Sequence, residues 1–185
     1  MIKAAIHHLS STGVHNRIGY VHLSDTPDGL LFQPALSELP PGDHGFHIHQ
    51  FGDVEPALKK GKYIAGGAAG RHYDPEQTHQ HLGPYKPGHR GDLPRLHVDL
   101  DGTATTPVVA PRLKLSEVKD RALIIHSGGD NYSDTPLVDG GGKSRIAGGV
   151  ITNDCPYCRE ATLLSLGKWA MAGAAAWWLL KPSKP

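Results

Sequence analysis

Apolar and polar residues alternate over short stretches of this chain, and clusters of turn residues separate one stretch from the next. Eight such runs predict strands, at 3–8, 17–24, 29–35, 45–51, 95–100, 103–110, 121–126 and 145–152. Eight short strands at this spacing predict an all-β sandwich or barrel. Pro27-Asp28-Gly29, Pro40-Pro41-Gly42 and Asp101-Gly102 supply the backbone freedom that tight turns need. Asp101-Gly102 lies between two alternating runs and predicts a hairpin. Within the body only 113–119 looks helical, for about two turns. Two segments carry no strand pattern. Residues 53–93 are rich in Gly, Pro, His and Lys and far longer than a connection requires, which marks a functional loop, and 127–144 is a second, shorter one. No internal repeat points to a solenoid. After Thr152 the composition changes, so the chain divides into a β domain over 1–152 and an appendage over 153–185.

Composition supports the β assignment and adds a chemistry. The 23 Gly and 15 Pro stand well above the average share of roughly 12%, as expected of a chain built from turns and loops rather than long helices. Nineteen Lys and Arg against eighteen Asp and Glu leave a net charge of +1, which is no footprint for nucleic acid. Thirteen histidines are more than packing needs, so imidazole chemistry is the first to consider. The opening MIKAAIHHLS lacks the pattern of a secretory leader. The two cysteines, Cys155 and Cys158, sit together near the C-terminus, where neither can cross-link distant parts of the body.

The densest signal is Gly45-Phe46-His47-Ile48-His49. Side chains alternate faces along a strand, so His47 and His49 point the same way and can grip one ion. In the long loop, His72, His81, His89 and Asp92 offer three imidazoles and a carboxylate, a set suited to tetrahedral zinc. His126 ends the apolar run Ala122-Leu123-Ile124-Ile125 beside the second loop, where either a satisfied core histidine or a ligand fits.

Taken in order, GFHIHQFGD, HYDPEQTHQHLGPYKPGHRGDLP, APRL, IIHSGGDNYSD and SRIAGGVI resemble the bacterial-type copper,zinc superoxide dismutases, over about residues 3–152. The resemblance implies an eight-stranded Greek-key barrel or sandwich with long metal-binding loops. It implies copper on His47, His49, His72 and His126, and zinc on His72, His81, His89 and Asp92, with the His72 ring shared between the two ions. Asp130 would be the carboxylate that links a copper-binding to a zinc-binding histidine. Arg145 would attract and orient the anion beside copper. The implied activity converts superoxide to dioxygen and hydrogen peroxide: copper cycles between oxidation states while zinc stays structural, and His72 takes up and returns a proton. Lys59, Lys60 and Lys62 extend a positive rim or form a solvated loop face. His7, His8, His15, His22, His44 and His97 fall outside the motifs and are expected at the surface or in packing. His79 competes with His81 for zinc, and the family spacing favours His81. The resemblance also leaves a homodimer open.

Three features depart from the family pattern. Its disulfide between the long loop and the last strand would fall at Val54 and Gly148, so both halves are missing. Arg71 stands where relatives usually have Gly, and either strengthens anion attraction or strains the backbone if a positive φ is required. The tail carries Cys155-Pro156-Tyr157-Cys158, a glutaredoxin-like spacing without the βαβ context that gives it meaning. Its apolar stretch 161–180 would reach about 30 Å as a helix, long enough for hydrocarbon, yet Lys168 falls near the middle, and a membrane-spanning, interfacial or docking helix all fit. The expected location is the cytoplasm or a membrane reached through this tail, or the periplasm if the true start lies upstream. Rival functions are a copper-binding and delivery module, with the tail cysteines as transfer site, and a membrane-tethered domain without activity.

Overall fold

A computed structural model of the chain describes residues 2–153. Its strands are β1 (Ile2–Ser10), β2 (Gly13–Thr26), β3 (Gly29–Leu36), β4 (Gly42–His44), β5 (Phe46–Ile48), β6 (Ala57–Lys59), β7 (Lys62–Ile64), β8 (Leu96–Val98), β9 (Val108–Ala110), β10 (Ala122–His126) and β11 (Arg145–Asn153), with one helical turn, α1 (Leu115–Val118), before β10. Seven strands form an antiparallel sheet in the order β5-β10-β11-β1-β2-β3-β9, and β4 pairs with β8. Sequence neighbours are therefore not always sheet neighbours: β10 and β11 return beside β1, and β9 returns beside β3. This is the curled Greek-key arrangement of an all-β fold.

Each of the eight expected runs contains a strand, and the structure differs from expectation in four places. The run at 45–51 shortens to β5, and at Gly45, just before it, the chain changes partner: β4 pairs with β8 and β5 with β10. Gly45 serves the break by hydrogen-bonding on both sides, donating to the Gly128 carbonyl (2.8 Å) and accepting from the His126 N–H (2.8 Å). Asp101-Gly102 does form a tight turn, closed by Asp99 N–H on the Thr103 carbonyl at 2.8 Å, but no hairpin of β8 with β9 follows. Strand β9 pairs with β3 instead, because Val108–Ala110 meets Leu30–Phe32 at the edge of the large sheet. The long loop is not wholly without strands, since β6 and β7 form a small hairpin there. The helical expectation at 113–119 shortens to α1, whose first turn is closed by the Glu117 carboxylate accepting from the Lys114 N–H at 2.8 Å.

Alternation explains where the core lies. Leu30, Phe32 and Leu36 of β3 point into it, as do Phe46 and Ile48 of β5 and Leu123 and Ile125 of β10. The opposite parity of β10 sends Ala122 and Ile124 outward into a second apolar cluster with Leu9 and Ala69, against which Val14, Val54 and Ala65 pack. This cluster occupies the ground of the absent disulfide. A side chain begun at Gly148 would meet Ile124 Cδ1 at 2.6 Å and Leu9 Cδ1 at 3.2 Å, so apolar packing fills the position that the resemblance gives to sulfur. The CxxC motif and the apolar stretch 161–180 lie outside the described residues. Among the described residues no helix is long and apolar enough to cross a membrane.

Candidate metal centre

The parity that buries Phe46 and Ile48 turns His47 and His49 to the other face of the sheet. The register β5–β10 places His47 opposite Ile124, so His126, two residues further along β10, shares that face. The long loop then folds over it. Ile48 N–H donates to the Gly91 carbonyl (2.9 Å) and Tyr73 N–H to the Ile48 carbonyl (2.9 Å), which docks the residues next to His72 and Asp92 on the free edge of β5. The second loop is tied back through Ser127 N–H on the Ser144 carbonyl (2.7 Å) and Gly128 N–H on the Gly142 carbonyl (2.8 Å). Six histidines and two acids are thereby buried together: His47, His49, His72, His81, His89, His126, Asp92 and Asp130.

His47, His49, His72 and His126 each bring one ring nitrogen to within 4.8 Å of the others. On the far side of His72, Asp92 gathers three rings: Oδ1 lies 3.1 Å from His72 Nδ1 and 3.5 Å from His89 Nδ1, and Oδ2 lies 3.0 Å from His81 Nδ1. His47 also comes within 4.8 Å of His81 and Asp92, but its Nε2 is committed elsewhere. Asp130 takes that nitrogen at 2.7 Å on Oδ2 and His81 Nε2 at 2.7 Å on Oδ1. The bridge is tight enough to require glycine at 140, where a Cβ would lie 2.1 Å from Asp130 Oδ1 and 2.6 Å from His81 Nε2.

Outer hydrogen bonds set the tautomers. His49 Nδ1 donates to the Gly70 carbonyl (3.2 Å) and His126 Nδ1 to the Lys143 carbonyl (3.4 Å), while His47 and His81 donate through Nε2 to Asp130. The nitrogens left over are buried and turn inward: Nε2 of His49 and His126 and Nδ1 of His47 have no hydrogen-bond partner, and Nδ1 of His81 and His89 face Asp92 alone. The unpartnered nitrogens of His47, His49 and His126, converging in one buried cluster, are costly unless a cation takes them, while His81 and His89 turn theirs to Asp92. Two groups of imidazole nitrogens, one all-histidine and one with a carboxylate, fit copper and zinc respectively.

The electrostatics differ across the cluster. Burial, and then the neighbouring imidazoles and Arg145, hold His49 well below its ordinary value, and burial and His47 do the same to His126. Burial and His47 pull His72 down to about 4 against the pull of Asp92. Burial also acts downward on His81, but hydrogen bonds to Asp130 and Asp92 outweigh it and raise that ring to about 10. Both carboxylates sit well below the usual range: burial works against this, and the hydrogen bonds from the histidines overcome it.

His49, His72 and His126 open onto a cavity of about 410 Å³ whose wall also carries Arg71, Asp139 and Arg145. The Arg145 guanidinium donates to the carbonyls of Gly66 and Gly70, so the long loop fixes its direction. Arg71 is not among the positive-φ residues, which removes the backbone-strain reading. Lys59 and Lys62 lie on the β6–β7 hairpin with Lys60 in its turn, and all three are exposed. His79 is exposed and outside the cluster. His7, His8, His15, His22 and His97 are exposed or half-buried on strands, as expected. His44 is the residue whose role the sequence hides. It is buried, with Nδ1 2.7 Å from the His126 carbonyl and Nε2 2.7 Å from the Pro40 carbonyl, so it ties the end of β10 to the turn before β4. Nothing but its closeness to His47 in the chain hints at this.

A family model described as copper/zinc superoxide dismutase matches residues 17–151. A curated relative, superoxide dismutase [Cu-Zn] 2 of Salmonella typhimurium, is 54% identical over 150 residues, covering 80% of this chain and 87% of the relative. The Cu/Zn superoxide dismutase from Brucella abortus superposes with a TM-score of 0.80 at 47% identity, over 82% of this chain and 99% of that one. The solution structure of the monomeric copper, zinc superoxide dismutase from Salmonella enterica superposes with a TM-score of 0.73 at 52% identity, over 82% and 99% of the two chains.

Proposed function

This chain belongs to the copper/zinc superoxide dismutase family, and from that membership we propose that His47, His49, His72 and His126 hold copper while His72, His81, His89 and Asp92 hold zinc. The activity is the conversion of two superoxide ions and two protons to one dioxygen and one hydrogen peroxide. Membership decides for the enzyme over a copper-delivery module or an inactive tethered domain. The observation that supports the ligand assignment is the convergence of buried ring nitrogens on both sides of His72, unpartnered at His47, His49 and His126 and facing Asp92 at His81 and His89.

Copper, when bound, supplies one-electron redox chemistry that zinc lacks. Arg145, on the cavity wall and braced by the loop carbonyls, binds and orients the incoming anion by charge-assisted hydrogen bonding. His72 keeps Nδ1 toward Asp92, leaving Nε2 as the atom that takes up and returns a proton on the cavity side. Asp130 keeps His47 and His81 in the tautomers that aim Nδ1 inward. Burial of these rings excludes water from all but the cavity mouth.

The test is metal content and dismutase activity of the full chain, prepared with and without added copper and zinc. One equivalent of each ion with activity that needs copper is expected. Full loading without activity would overturn the enzyme assignment. The apolar composition of residues 161–180 supports a membrane contact of the tail, which fractionation of cells expressing the full chain would test.

A further inference from the structure

The β6–β7 hairpin takes no part in the chemistry above, and its composition works against the fold. Its strands pair with each other and join no larger sheet. The base is tied to the body by Ala68 N–H on the Glu55 carbonyl (3.0 Å) and by the close packing of Ala57 on Gly67, where a Cβ would lie 2.8 Å from the Ala57 nitrogen. The register sets Ala57 opposite Ile64, Leu58 opposite Tyr63 and Lys59 opposite Lys62. Alternation then gives two faces. Ala57, Lys59, Lys62 and Ile64 share one, and Ile64 belongs to the cavity wall. Leu58 and Tyr63 share the other, an apolar pair left 61% and 60% exposed. Of the eight large apolar side chains exposed among the described residues, three fall on this hairpin, so they form a patch rather than the scattered single residues of an ordinary surface.

Three ammonium groups surround that pair. Lys59 and Lys62 stand directly opposite each other, a like-charge pairing that weakens a sheet. Lys60 occupies the turn in the left-handed region (φ 49°), which favours glycine. None of the three makes an ion pair among the described residues. Partial burial, and then Arg145 and Arg71, lower the Lys59 ammonium from its ordinary value, so positive charge is crowded here. Neither packing nor local propensity calls for such a tip. An aliphatic and an aromatic side chain ringed by unpaired lysines do match the boundary between lipid headgroups and acyl chains, where Tyr settles and lysine stems lie along apolar neighbours with their charge in water.

We propose that the β6–β7 hairpin docks the β domain on a membrane surface that bears anionic lipid headgroups, with Leu58 and Tyr63 dipping below the headgroups and Lys59, Lys60 and Lys62 pairing with their phosphates. An acidic protein would offer the same charge, but a tip exposed on both faces suits a surface that it can enter. This docking requires neither the dismutase assignment nor a membrane contact of residues 161–180.

The experiment mixes the full chain with vesicles of phosphatidylcholine and phosphatidylglycerol, or of phosphatidylcholine alone. The readouts are the bound fraction by sedimentation, amide hydrogen exchange of residues 57–64, and melting temperature. Binding to the anionic vesicles with slowed exchange in 57–64 is expected, and that protection should vanish on neutral vesicles and in high salt. Lys59→Gln/Lys60→Gln/Lys62→Gln should lower affinity for the anionic vesicles about 100-fold, and Leu58→Ser/Tyr63→Ser about tenfold. Lys59→Arg/Lys60→Arg/Lys62→Arg should keep it. Melting temperature should not move, because the substituted side chains are exposed. The exchange reading separates the hairpin from the tail: a chain held only through residues 161–180 would leave 57–64 exchanging as in solution. No binding to the anionic vesicles, binding with 57–64 unprotected, or equal affinity in the triple glutamine variant would each overturn the proposal.

Discussion

His72 stands between two clusters made of the same residue type, and they are built in opposite ways. On one side His47, His49 and His126 come from adjacent strands and have no hydrogen-bond partner on their inward nitrogens, and burial and the neighbouring imidazoles keep His49 and His126 from protonating. On the other side His81, His89 and Asp92 come from one loop, and the carboxylates draw protons in, holding His81 at about 10. A strand pair gives histidines that are ready for a metal at neutral pH. A loop threaded with acids gives a site that must release a proton first. The contrast shows that ligand type alone does not set the electrostatics of a metal site; the element that delivers each ligand does.

The largest effect expected from this difference is on the metal-free protein. His49, His72 and His126 are held below 6.5 in the folded chain, so below that pH the unfolded chain binds more protons and stability falls, continuing to about pH 4 for His72. Each such ring contributes a slope of up to about 1.4 kcal/mol per pH unit. His81 works in the other direction. Held near 10, it keeps a proton in the folded chain that the unfolded chain gives up above 6.5, and stability falls as pH rises through that range. Denaturant titrations of the apo-protein should give a dome with its top near pH 6.5. His49→Gln should flatten the acid limb and Asp130→Asn the alkaline one; a single limb altered by both variants would break the division. Zinc affinity should rise with pH toward 10, with one proton released on binding, as calorimetry in buffers of different ionisation enthalpy would read.

Removing the shared ring comes next. His72→Ala should lower activity by more than about 100-fold, the upper end of what loss of a supporting residue costs a metal site. It should also deplete zinc, whereas His49→Ala should cost copper alone; elemental analysis of both variants decides, and full zinc occupancy in His72→Ala would show the two sides to be independent. Asp130→Asn should weaken metal affinity about 10- to 100-fold. An amide can accept from only one of the two Nε2–H groups and presents N–H to the other, which moves that ring's proton onto the inward Nδ1. Activity in this variant should recover in part under excess metal.

The sheet side was legible in the sequence because alternation alone turns His47 and His49 away from the core that takes Phe46 and Ile48. The loop side was legible through motif resemblance, not through periodicity, since no repeat in 53–93 says which residues fold back onto β5. The β6–β7 hairpin escaped notice because both its faces are largely exposed, so Ala57–Lys59 and Lys62–Ile64 carry no apolar alternation. Asp101-Gly102 misled for the opposite reason. Its local chemistry is that of a hairpin, but β3 and β4 offer longer-range partners to the strands on either side.

The smallest effect tests how the loop side stays attached to the sheet side. Val54 packs on Leu9, Ala69, Ala122 and Ile124, in place of the sulfur link implied by the family resemblance. Val54→Ala removes two methyl groups from a half-buried position, at a cost of about 1 kcal/mol. The same segment carries the Gly66 and Gly70 carbonyls that direct Arg145, so loosening it should reach the cavity as a fall in kcat/KM of about twofold, with both metals retained. Thiol reductants should change neither quantity in the unmodified chain, because apolar contacts, not a disulfide, hold these two positions. A melting temperature for Val54→Ala equal to that of the unmodified protein would mean that the docking of β5 against 72–73 and 91–92 secures the loop without this cluster, and the two sides would then be joined through the metal ligands themselves.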